Sequence, residues 1–206
     1  MPTSFFTLSV QNTELSFSHV RLDFQDDVTT NVFSFKNNKT LAETLASPKY
    51  RKLKGDIEDV YVANLSQQLG EFLYDLKKAK SPLYLKFLNQ HGDKVYCRFG
   101  INAPEYKASK GLYAYLVDGQ IKYIGRCLDN FGKRINQGYG HIHPKNCYLD
   151  GQSTNCHLNS LVTPVRDRVT LCVCKLDNND QIKMLEAALI KQLKPEWNIA
   201  LKGNKK

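Results

Sequence analysis

One short stretch of the chain, KGLYAYLVDGQIKYIGRCLDNFGKRI, concentrates side chains that carry hydroxyl and guanidinium groups. Neighbouring hydroxyls beside a glycine can bind a ligand, and an arginine adds a positive charge that does not titrate. The alternative is that the aromatic rings fill a core and the arginines decorate a surface. The residues concerned are Tyr113, Tyr115, Tyr123, Arg126 and Arg134.

The register of the hairpin in this stretch decides whether the tyrosines face one another. An Asp-Gly pair predicts the turn. A strict two-residue turn would pair Tyr113 with Ile124 and would point Tyr123 to the opposite face. A three-residue loop or a bulge would instead pair Tyr115 with Tyr123 and Tyr113 with Gly125, so that all three tyrosines share one face. We predict the second register.

A carboxylate falls on the apolar face of a helix near the C-terminus. Glu186 lies four residues after Ile182 and three before Leu189, on the face that these residues share. A buried carboxylate is costly unless a cation or a hydrogen-bond donor meets it, so Glu186 is either functional or part of a structural pair. Arg134 lies at the apolar edge of a shorter helix, where a surface arginine with a covered stem is the alternative.

The elements that must position these side chains follow from apolar periodicity and turn residues. The polar stretch 101–110, which contains a proline, predicts a boundary. Before it we predict short strands within 1–36 (FFTLSV, LSFSHV and NVFSF), a helix over 56–79 and a hairpin over 81–100. After it we predict a hairpin over 111–125, a helix over about 129–137, an irregular segment over 138–168, a strand over 169–176 and a helix over 180–193.

Composition indicates a globular protein with a basic surface. The chain has 206 residues, 42% of them hydrophobic, and a formal net charge of +9. The positive excess favours a polyanionic partner such as nucleic acid, and a soluble protein that happens to be basic is the alternative. No apolar run is long enough for a membrane span. Six dispersed cysteines without a secretion leader predict reduced thiols and a cytoplasmic location.

Taken together, the candidate residues resemble the signature of the GIY-YIG nuclease superfamily. The resemblance covers roughly residues 111–200, and Leu112 stands where the family name has isoleucine. The predicted order of hairpin, helix, strand and helix is also that of the family's core. The matching elements are Gly111-Leu112-Tyr113, Tyr123-Ile124-Gly125, Arg134 eleven residues past the second tyrosine, Glu186, and Trp197-Asn198.

The resemblance implies hydrolysis of phosphodiesters with one divalent metal ion, Mg²⁺ with Mn²⁺ as a substitute, held by Glu186. It implies that Tyr113 is a general base or a relay that orients the attacking water, and that Tyr123 hydrogen-bonds the water or the phosphate. Arg134 would stabilise the charge of the transition state. Asn198, the last candidate of the catalytic set, would anchor the C-terminal segment under the site.

The predicted function is a Mg²⁺-dependent DNA endonuclease of α+β fold, with a type II restriction enzyme as its most specific form. Residues 109–206 would form the catalytic module, a small antiparallel three-stranded sheet flanked by helices, with an insertion at about 138–168. Residues 1–108 would form an α+β domain that recognises the target. The alternatives are a single-strand-specific, mobility or repair nuclease and a nucleic-acid-binding module that no longer cuts. A palindromic target would favour a homodimer.

The insertion holds further candidates. His141, seven residues past Arg134, is a candidate accessory acid or base because family members often have a histidine near there. A structural zinc site is an alternative use of the insertion, although the ligand spacing matches no standard pattern. Its ligands would be His141, His143, Cys147, Cys156 and His157.

Phenylalanines of the first 36 residues could stack on bases, but core packing is the favoured interpretation for most of them.

Overall fold

The computed structural model describes residues 5–199, without the side chain of Phe5, and has the mixed α+β character that the sequence predicts. The strands are β1 (Phe5–Val10), β2 (Thr13–Val20), β3 (Leu22–Thr29), β4 (Tyr96–Ile101), β5 (Gly111–Val117), β6 (Gln120–Cys127) and β7 (Val169–Lys175). The α-helices are α1 (Leu41–Leu45), α2 (Lys54–Glu58), α3 (Leu69–Lys78), α4 (Pro104–Lys107), α5 (Ser153–Val162) and α6 (Asn179–Leu193). No helix within the described range has the length and apolar character needed to cross a membrane.

The chain divides into two compact units. Unit 1 consists of Arg98–His141 together with the described parts of Met1–Asp26 and Leu161–Lys206. Unit 2 consists of Asp27–Cys97 and Ile142–Ser160. This division differs from the predicted boundary at residue 108, because the N-terminal strands β1 and β2 belong to the same sheet as the tyrosine hairpin.

The sheet of unit 1 is antiparallel, with the strand order β1-β2-β7-β5-β6. It has five strands among residues 5–199 rather than the predicted three, because the β1–β2 hairpin extends it beyond β7 through pairs such as Ser18 with Val173. The strand predicted over 169–176 and the helix predicted over 180–193 are confirmed as β7 and α6. Strands β3 and β4 form a separate two-stranded sheet.

Strand β5 is covered on both faces, and all seven of its residues are buried. Its alternate residues from Leu112 onwards share a hydrophobic cluster with the buried face of α6, including Ile182 and Leu189. Tyr113 and Tyr115 alternate with them and therefore project from the other face. Because α6 occupies one face of the hairpin, the tyrosines are left to pack among themselves on the opposite one.

The helix predicted over 56–79 is wrong in its first half. Only α3 is a sustained helix, and the residues before it form α2 and a short 3₁₀ turn. Leu41 N donates to Gln67 O and Ala42 N donates to Leu65 O, each at 3.0 Å. These tertiary hydrogen bonds hold the segment outside the helical conformation, so tertiary context overrides the apolar periodicity.

The hairpin predicted over 81–100 and the strand NVFSF are also wrong. Ser81 caps a 3₁₀ helix, Pro82–Phe87, and a proline in the first helical positions favours this start over a strand. Only β4 remains extended in that region. The NVFSF segment forms a 3₁₀ turn, Val32–Phe35, which begins after Asn31 in the left-handed conformation with φ 55°.

Unit 2 has its own core, which is rich in aromatic residues. Phe33 and Phe87 are fully buried, and Phe72 packs beside them. Lys77 Nζ and the Asp93 carboxylate form a half-buried ion pair at 2.6 Å next to this core. Unit 2 therefore has its own hydrophobic cluster, as a folded unit requires, with an ion pair beside it.

Candidate active site

Strands β5 and β6 form the hairpin that carries the three tyrosines. Tyr115 pairs with Tyr123 and Tyr113 pairs with Gly125, and a bulge lies between Tyr115 and Leu116. The predicted register is therefore confirmed, and the rings share one face. The ring centroids of Tyr113 and Tyr123 are 6.2 Å apart, and those of Tyr115 and Tyr123 are 6.4 Å apart.

Two glycines permit the close approach of the hairpin to its neighbours. A β-carbon at Gly125 would lie 2.4 Å from both Cζ and the hydroxyl oxygen of Tyr113, so the tyrosine ring lies directly over this glycine. Gly111 has φ 141°, and a β-carbon there would lie 2.0 Å from the carbonyl oxygen of Cys174. Side chains at these positions would disrupt either the aromatic cluster or the β5–β7 pairing.

A π-helix, Lys133–Tyr139, stands where a short ordinary helix is predicted after the hairpin. Gly140 N donates to Ile135 O at 2.7 Å, which is the five-residue spacing of a π-turn. In an α-helix, side chains five residues apart point about 140° away from each other. In the π-helix, Arg134 and Tyr139 are neighbours, and Cζ of Arg134 lies 4.4 Å from the Tyr139 ring centroid. The π-turn thus brings the predicted arginine onto a tyrosine.

The hydroxyls of Tyr113, Tyr123 and Tyr139 and the guanidinium of Arg134 form one hydrogen-bonded group, the tyrosine–arginine cluster. Tyr139 OH lies 2.6 Å from Tyr113 OH and 3.5 Å from Tyr123 OH. Arg134 donates from Nε to Tyr113 OH at 3.2 Å and from Nη2 to Tyr139 OH at 2.5 Å. Tyr113 and Tyr139 are fully buried, whereas Arg134 is partly exposed. Two buried hydroxyls therefore fix the orientation of a guanidinium that reaches the surface.

Protonation in the cluster follows from burial and charge. Burial raises the pKa values of Tyr113 and Tyr139 well above the ordinary value for tyrosine, and the charge of Arg134 opposes this only in part. Burial by itself lowers the pKa of Arg134, but the adjacent tyrosine oxygens raise it by more. At neutral pH Tyr113 and Tyr139 are therefore neutral phenols beside a charged guanidinium. A neutral Tyr113 is suited to relay or orient a hydrogen bond and poorly suited to act as a general base.

Glu186 lies on α6 and forms an ion pair with Arg126 of β6, in which Arg126 Nη1 donates to Oε2. The Glu186 side chain is 12% exposed and that of Arg126 is 42% exposed. Burial raises the pKa of Glu186, and the charges of Arg126 and then Arg134 oppose this shift. The carboxylate on the apolar helix face thus meets a cation, and it lies within electrostatic reach of the tyrosine–arginine cluster.

The carboxylate of Glu186 is the group of this site that could hold a divalent cation. Mg²⁺ binds proteins through one or two carboxylates and completes its shell with water and substrate phosphate. A carboxylate whose charged form is disfavoured by burial gains from an added cation, although Arg126 already hydrogen-bonds Oε2. Among residues 5–199, which include the zinc candidates of the insertion, no group of three or more His, Cys, Asp and Glu side chains is arranged to hold a metal.

Asn198 attaches the C-terminal segment to the hairpin. Its Oδ1 accepts from Ile124 N at 2.9 Å, and its Nδ2 donates to Ile124 O at 2.7 Å. Its side chain is buried, and the adjacent Trp197 N donates to Lys122 O at 2.8 Å. These contacts with the backbone agree with the anchoring role that the resemblance implies for Asn198.

His141 lies just beyond the π-helix and contacts an arginine of β4. Its Nε2 is 2.6 Å from Nη2 of Arg98.

Of the six residues predicted as catalytic, the structure groups Tyr113, Tyr123 and Arg134 directly and brings Glu186 within electrostatic reach. Asn198 hydrogen-bonds the backbone of β6, and His141 lines a separate cleft.

The sequence patterns described above predict no role for two residues of the site, Tyr139 and Arg126. Tyr139 is related to Arg134 only through the five-residue π spacing, for which the sequence carries no recognisable signal. Arg126 could have been found, because it alternates with Ile124 along β6 and so shares the face that packs against α6. A cation there is the natural partner of a carboxylate on the apolar face of that helix.

The resemblance to the GIY-YIG superfamily rests on the residues described above and on the hairpin register that brings them together. It remains a prediction, because the arrangement of these side chains does not by itself establish descent from that family. Comparison with known proteins adds no identification: no family model matches the chain, and no match was found among curated proteins or solved structures.

Proposed function

We propose that this protein is a divalent-metal-dependent endonuclease that hydrolyses phosphodiester bonds in DNA. The observation that carries the proposal is the guanidinium of Arg134, which two buried tyrosine hydroxyls orient and which lies within electrostatic reach of the Glu186 carboxylate. A fixed cation within electrostatic reach of a candidate metal ligand suits a reaction in which negative charge builds up on a phosphate. The net charge of +9 supports a polyanionic substrate.

We assign to Arg134 the stabilisation of the negative charge that develops in the transition state. Its guanidinium stays charged at any pH at which the protein is folded, and its planar fork matches phosphate oxygens. The hydrogen bonds to Tyr113 and Tyr139 restrict its rotation, so it does not have to reorganise as the charge develops. Because Arg134 is partly exposed, a phosphate can reach it without displacing the tyrosines.

Tyr113 and Tyr139 act mainly by positioning Arg134. Both are fully buried and their pKa values are raised, so as neutral phenols they hold and relay hydrogen bonds. Tyr123 is 8% exposed and its hydroxyl reaches Tyr139 at 3.5 Å, which makes it the tyrosine best placed to hydrogen-bond a water or a phosphate oxygen. Asn198 keeps the strand under this group in place through the backbone of Ile124.

Glu186 would hold the metal ion. When bound, a divalent cation polarises the scissile phosphate and stabilises the leaving oxygen. In the protein itself, Arg126 is the partner whose charge opposes the rise that burial causes in the pKa of this carboxylate. Arg126 is the more exposed member of the pair, so it could turn to a substrate phosphate once a metal ion had replaced it at the carboxylate.

The second candidate function is binding of nucleic acid without cleavage. The ion pair between Arg126 and Glu186 is the observation that favours it, because it satisfies one oxygen of the metal carboxylate from within the protein. In that case the cluster would bind a phosphate through Arg134, and Glu186 would have a structural role. The two candidates differ in whether Glu186 is needed for a chemical step.

The test is cleavage of duplex DNA, single-stranded DNA and RNA by the wild type and by Glu186→Gln, each with Mg²⁺ or with EDTA. We expect Mg²⁺-dependent cleavage by the wild type and a loss of at least about 100-fold in Glu186→Gln. Glu196→Gln is the matched control, because Glu196 is an exposed carboxylate of unit 1 that pairs with Lys122 on the surface. This control should keep full activity.

The outcomes separate the candidates. Discrete duplex fragments that require both Mg²⁺ and Glu186 would support a sequence-specific endonuclease of the restriction type. Metal-dependent degradation of single strands or RNA would retain the chemistry and change the substrate. Binding of all three polymers without cleavage would refute hydrolysis and favour the binding module.

A further inference from the structure

A cleft of about 410 Å³ lies in unit 1 beside the end of the π-helix. Its lining includes Phe24 of β3, Arg98 and Phe99 of β4, and Asn136 and His141. The volume is within the range of small-molecule sites, and the lining combines aromatic rings with a cation and an imidazole. None of these side chains belongs to the tyrosine–arginine cluster.

Backbone and amide hydrogen bonds join β4 to the π-helix and build this cleft. Phe99 N donates to Gly140 O at 3.0 Å, and a β-carbon on Gly140 would lie 1.8 Å from the Phe99 carbonyl oxygen. Asn136 bonds the backbone of Ile101 twice, accepting from its N at 2.8 Å and donating to its O at 3.1 Å. Strand β4 is therefore attached to the π-helix at two places about one turn apart.

The polar groups of the cleft suit a phosphate. Arg98 is exposed and presents its guanidinium next to His141, with Nη2 2.6 Å from Nε2. Arginine can only donate, so Nε2 of His141 accepts in this contact, which leaves the other guanidinium N–H groups of Arg98 and the Nδ1 side of His141 to meet phosphate oxygens. Asp23, which also lines the cleft, is paired with Arg21 at 3.1 Å, so its negative charge is partly balanced.

The aromatic groups suit a base. The rings of Phe24 and Phe99 lie 5.3 Å apart at an angle of 45°, and Phe99 is buried while Phe24 is half-buried. Phe24 thus packs against the buried ring of Phe99 and lines the cleft with part of its surface exposed. Aromatic side chains that present a free face are the usual stacking platforms for bases in nucleic-acid-binding proteins.

We infer that the cleft between Phe24, Arg98 and His141 binds a nucleotide of the substrate that flanks the scissile phosphate, with its phosphate on Arg98 and its base against Phe24. The inference rests on the proposed function, since it names the substrate contacts of the same active centre. The π-helix links the cleft to the tyrosine–arginine cluster. Arg134 and Tyr139 lie on this helix. The cleft is attached to it through Asn136, Gly140 and His141. The π-helix therefore sets the distance between the scissile phosphate on Arg134 and the flanking phosphate on Arg98.

This inference gives His141 a role different from acid–base catalysis. A histidine that shares a phosphate with Arg98 is a positioning residue, and its replacement should raise KM. Loss of a general acid or base would instead lower kcat and alter the pH profile. His141→Gln distinguishes the two, because glutamine keeps a hydrogen-bond donor but cannot carry a proton between pH 5 and 9.

The first experiment measures binding in EDTA, where the full-length protein cannot use Mg²⁺. Fluorescein-labelled duplex DNA, single-stranded DNA and RNA oligonucleotides are titrated by anisotropy at several salt concentrations. For Arg98→Ala we expect affinity to fall about tenfold and the salt slope to decrease by about one. For Phe24→Leu, which keeps an apolar side chain against Phe99, we expect a loss of several-fold with the slope unchanged.

Arg168→Ala is the matched control. It removes one exposed arginine of unit 1 that pairs with Asp118 near the hairpin turn, away from the cleft lining. Its affinity should stay within about twofold of the wild type. Circular dichroism and thermal unfolding of each variant show whether a loss of affinity comes from misfolding, and Arg98→Lys, which keeps the charge, should recover part of the salt slope.

The outcomes separate the subsite from the chemistry. If Arg98→Ala behaves like Arg168→Ala, the subsite is refuted, whether or not the wild type cuts DNA. If the wild type binds none of the three polymers, the subsite is refuted as well. If Arg98→Ala and Phe24→Leu weaken binding as expected but no polymer is cut with Mg²⁺, the proposed hydrolysis fails and the subsite stands. With an active enzyme, a fall in kcat with an altered pH profile in His141→Gln would overturn the positioning role.

Discussion

Buried tyrosines occur in both units, and their hydroxyl partners differ. In unit 2, each buried tyrosine donates to an acceptor of the fold: Tyr50 to Asp150 Oδ1 at 2.7 Å, Tyr148 to Phe33 O at 2.8 Å, and Tyr96 to His91 O. In unit 1, by contrast, the hydroxyls of the tyrosine–arginine cluster contact one another and accept from Arg134.

The hydrogen-bond partner, and not burial, distinguishes the tyrosines of the tyrosine–arginine cluster from the buried tyrosines of unit 2. A hydroxyl that donates to a backbone carbonyl or a surface carboxylate holds parts of the fold together. A hydroxyl that accepts from a half-exposed guanidinium orients a charge that a ligand can reach. Burial raises the pKa of Tyr50 as it does that of Tyr113, so protonation does not separate the two groups.

The largest effect should come from Arg134→Ala. The tyrosines would remain but the oriented charge would be lost, and we expect the cleavage rate to fall by about 10³-fold. Lys133→Ala is the control, because Lys133 is the adjacent exposed cation, paired with Asp129 in the same π-helix region. Single-turnover cleavage rates would measure both. Equal losses in the two variants would mean that general positive charge, and not the oriented guanidinium, is what matters.

Gly125→Ala should have the next largest effect. Its β-carbon would lie 2.4 Å from the Tyr113 ring, so we expect a loss of about 1–3 kcal/mol in the free energy of unfolding. Gly55→Ala in unit 2 is the control, because a β-carbon there meets nothing within 4 Å on α2 and helix propensity favours alanine. Urea unfolding measures both, and a Gly125→Ala protein as stable as the wild type would contradict the packing of the cluster.

Tyr139→Phe and Tyr50→Phe test the comparison directly, with one substitution in each unit. Tyr139→Phe removes an acceptor of Arg134 and should slow cleavage by about 10- to 100-fold. Tyr50→Phe removes a hydrogen bond to an exposed carboxylate and should cost about 1 kcal/mol of stability with unchanged cleavage per folded molecule. The distinction fails if both variants lose activity in proportion to stability.

The smallest effect should be the pH dependence of stability in Glu186→Gln. Burial raises the pKa of Glu186 in the folded protein, so the folded state binds this proton more tightly than the unfolded state. The ionised carboxylate therefore opposes folding at neutral pH, and the opposition disappears as the pH falls below the pKa values of both states. We expect Glu186→Gln to be at least as stable as the wild type at pH 7, with the difference shrinking towards pH 4.

Thermal unfolding of the two proteins across this pH range measures the difference. A Glu186→Gln protein that is much less stable at pH 7 would show that the ion pair with Arg126 outweighs the burial of the carboxylate. That result would favour the structural role of Glu186 and the binding module.

The structure of the C-terminal half of the chain, from the tyrosine hairpin onwards, could be predicted from local sequence patterns better than that of the N-terminal half. The hairpin register, β7 and α6 were all predicted, because alternation, an Asp-Gly turn and a helical apolar face are short-range features. Glu186 could be singled out because a carboxylate on an apolar face is anomalous. The predictions over 56–79 and 81–100 failed because long-range hydrogen bonds and a capped proline override apolar periodicity there.

Three features were decided only by the tertiary structure. The pairing of β2 with β7 joins segments about 150 residues apart in the chain, and no local pattern encodes that choice. The π-turn that brings Tyr139 to Arg134 depends on the backbone at Ile135 and Gly140 and has no helical periodicity. The cleft of Phe24, Arg98 and His141 combines three distant segments.

The sequence by itself determined which residues could do chemistry, because residue type, short spacing and the period of a strand or helix are local properties. It specified Tyr113, Tyr123, Arg134 and Glu186 and the register that puts the tyrosines on one face. Only the tertiary structure decided which groups these residues meet, because partners such as Tyr139 and Arg126 come from backbone geometry and from packing between distant elements. Reactivity depends on those partners, since they set the charge, orientation and exposure of each group.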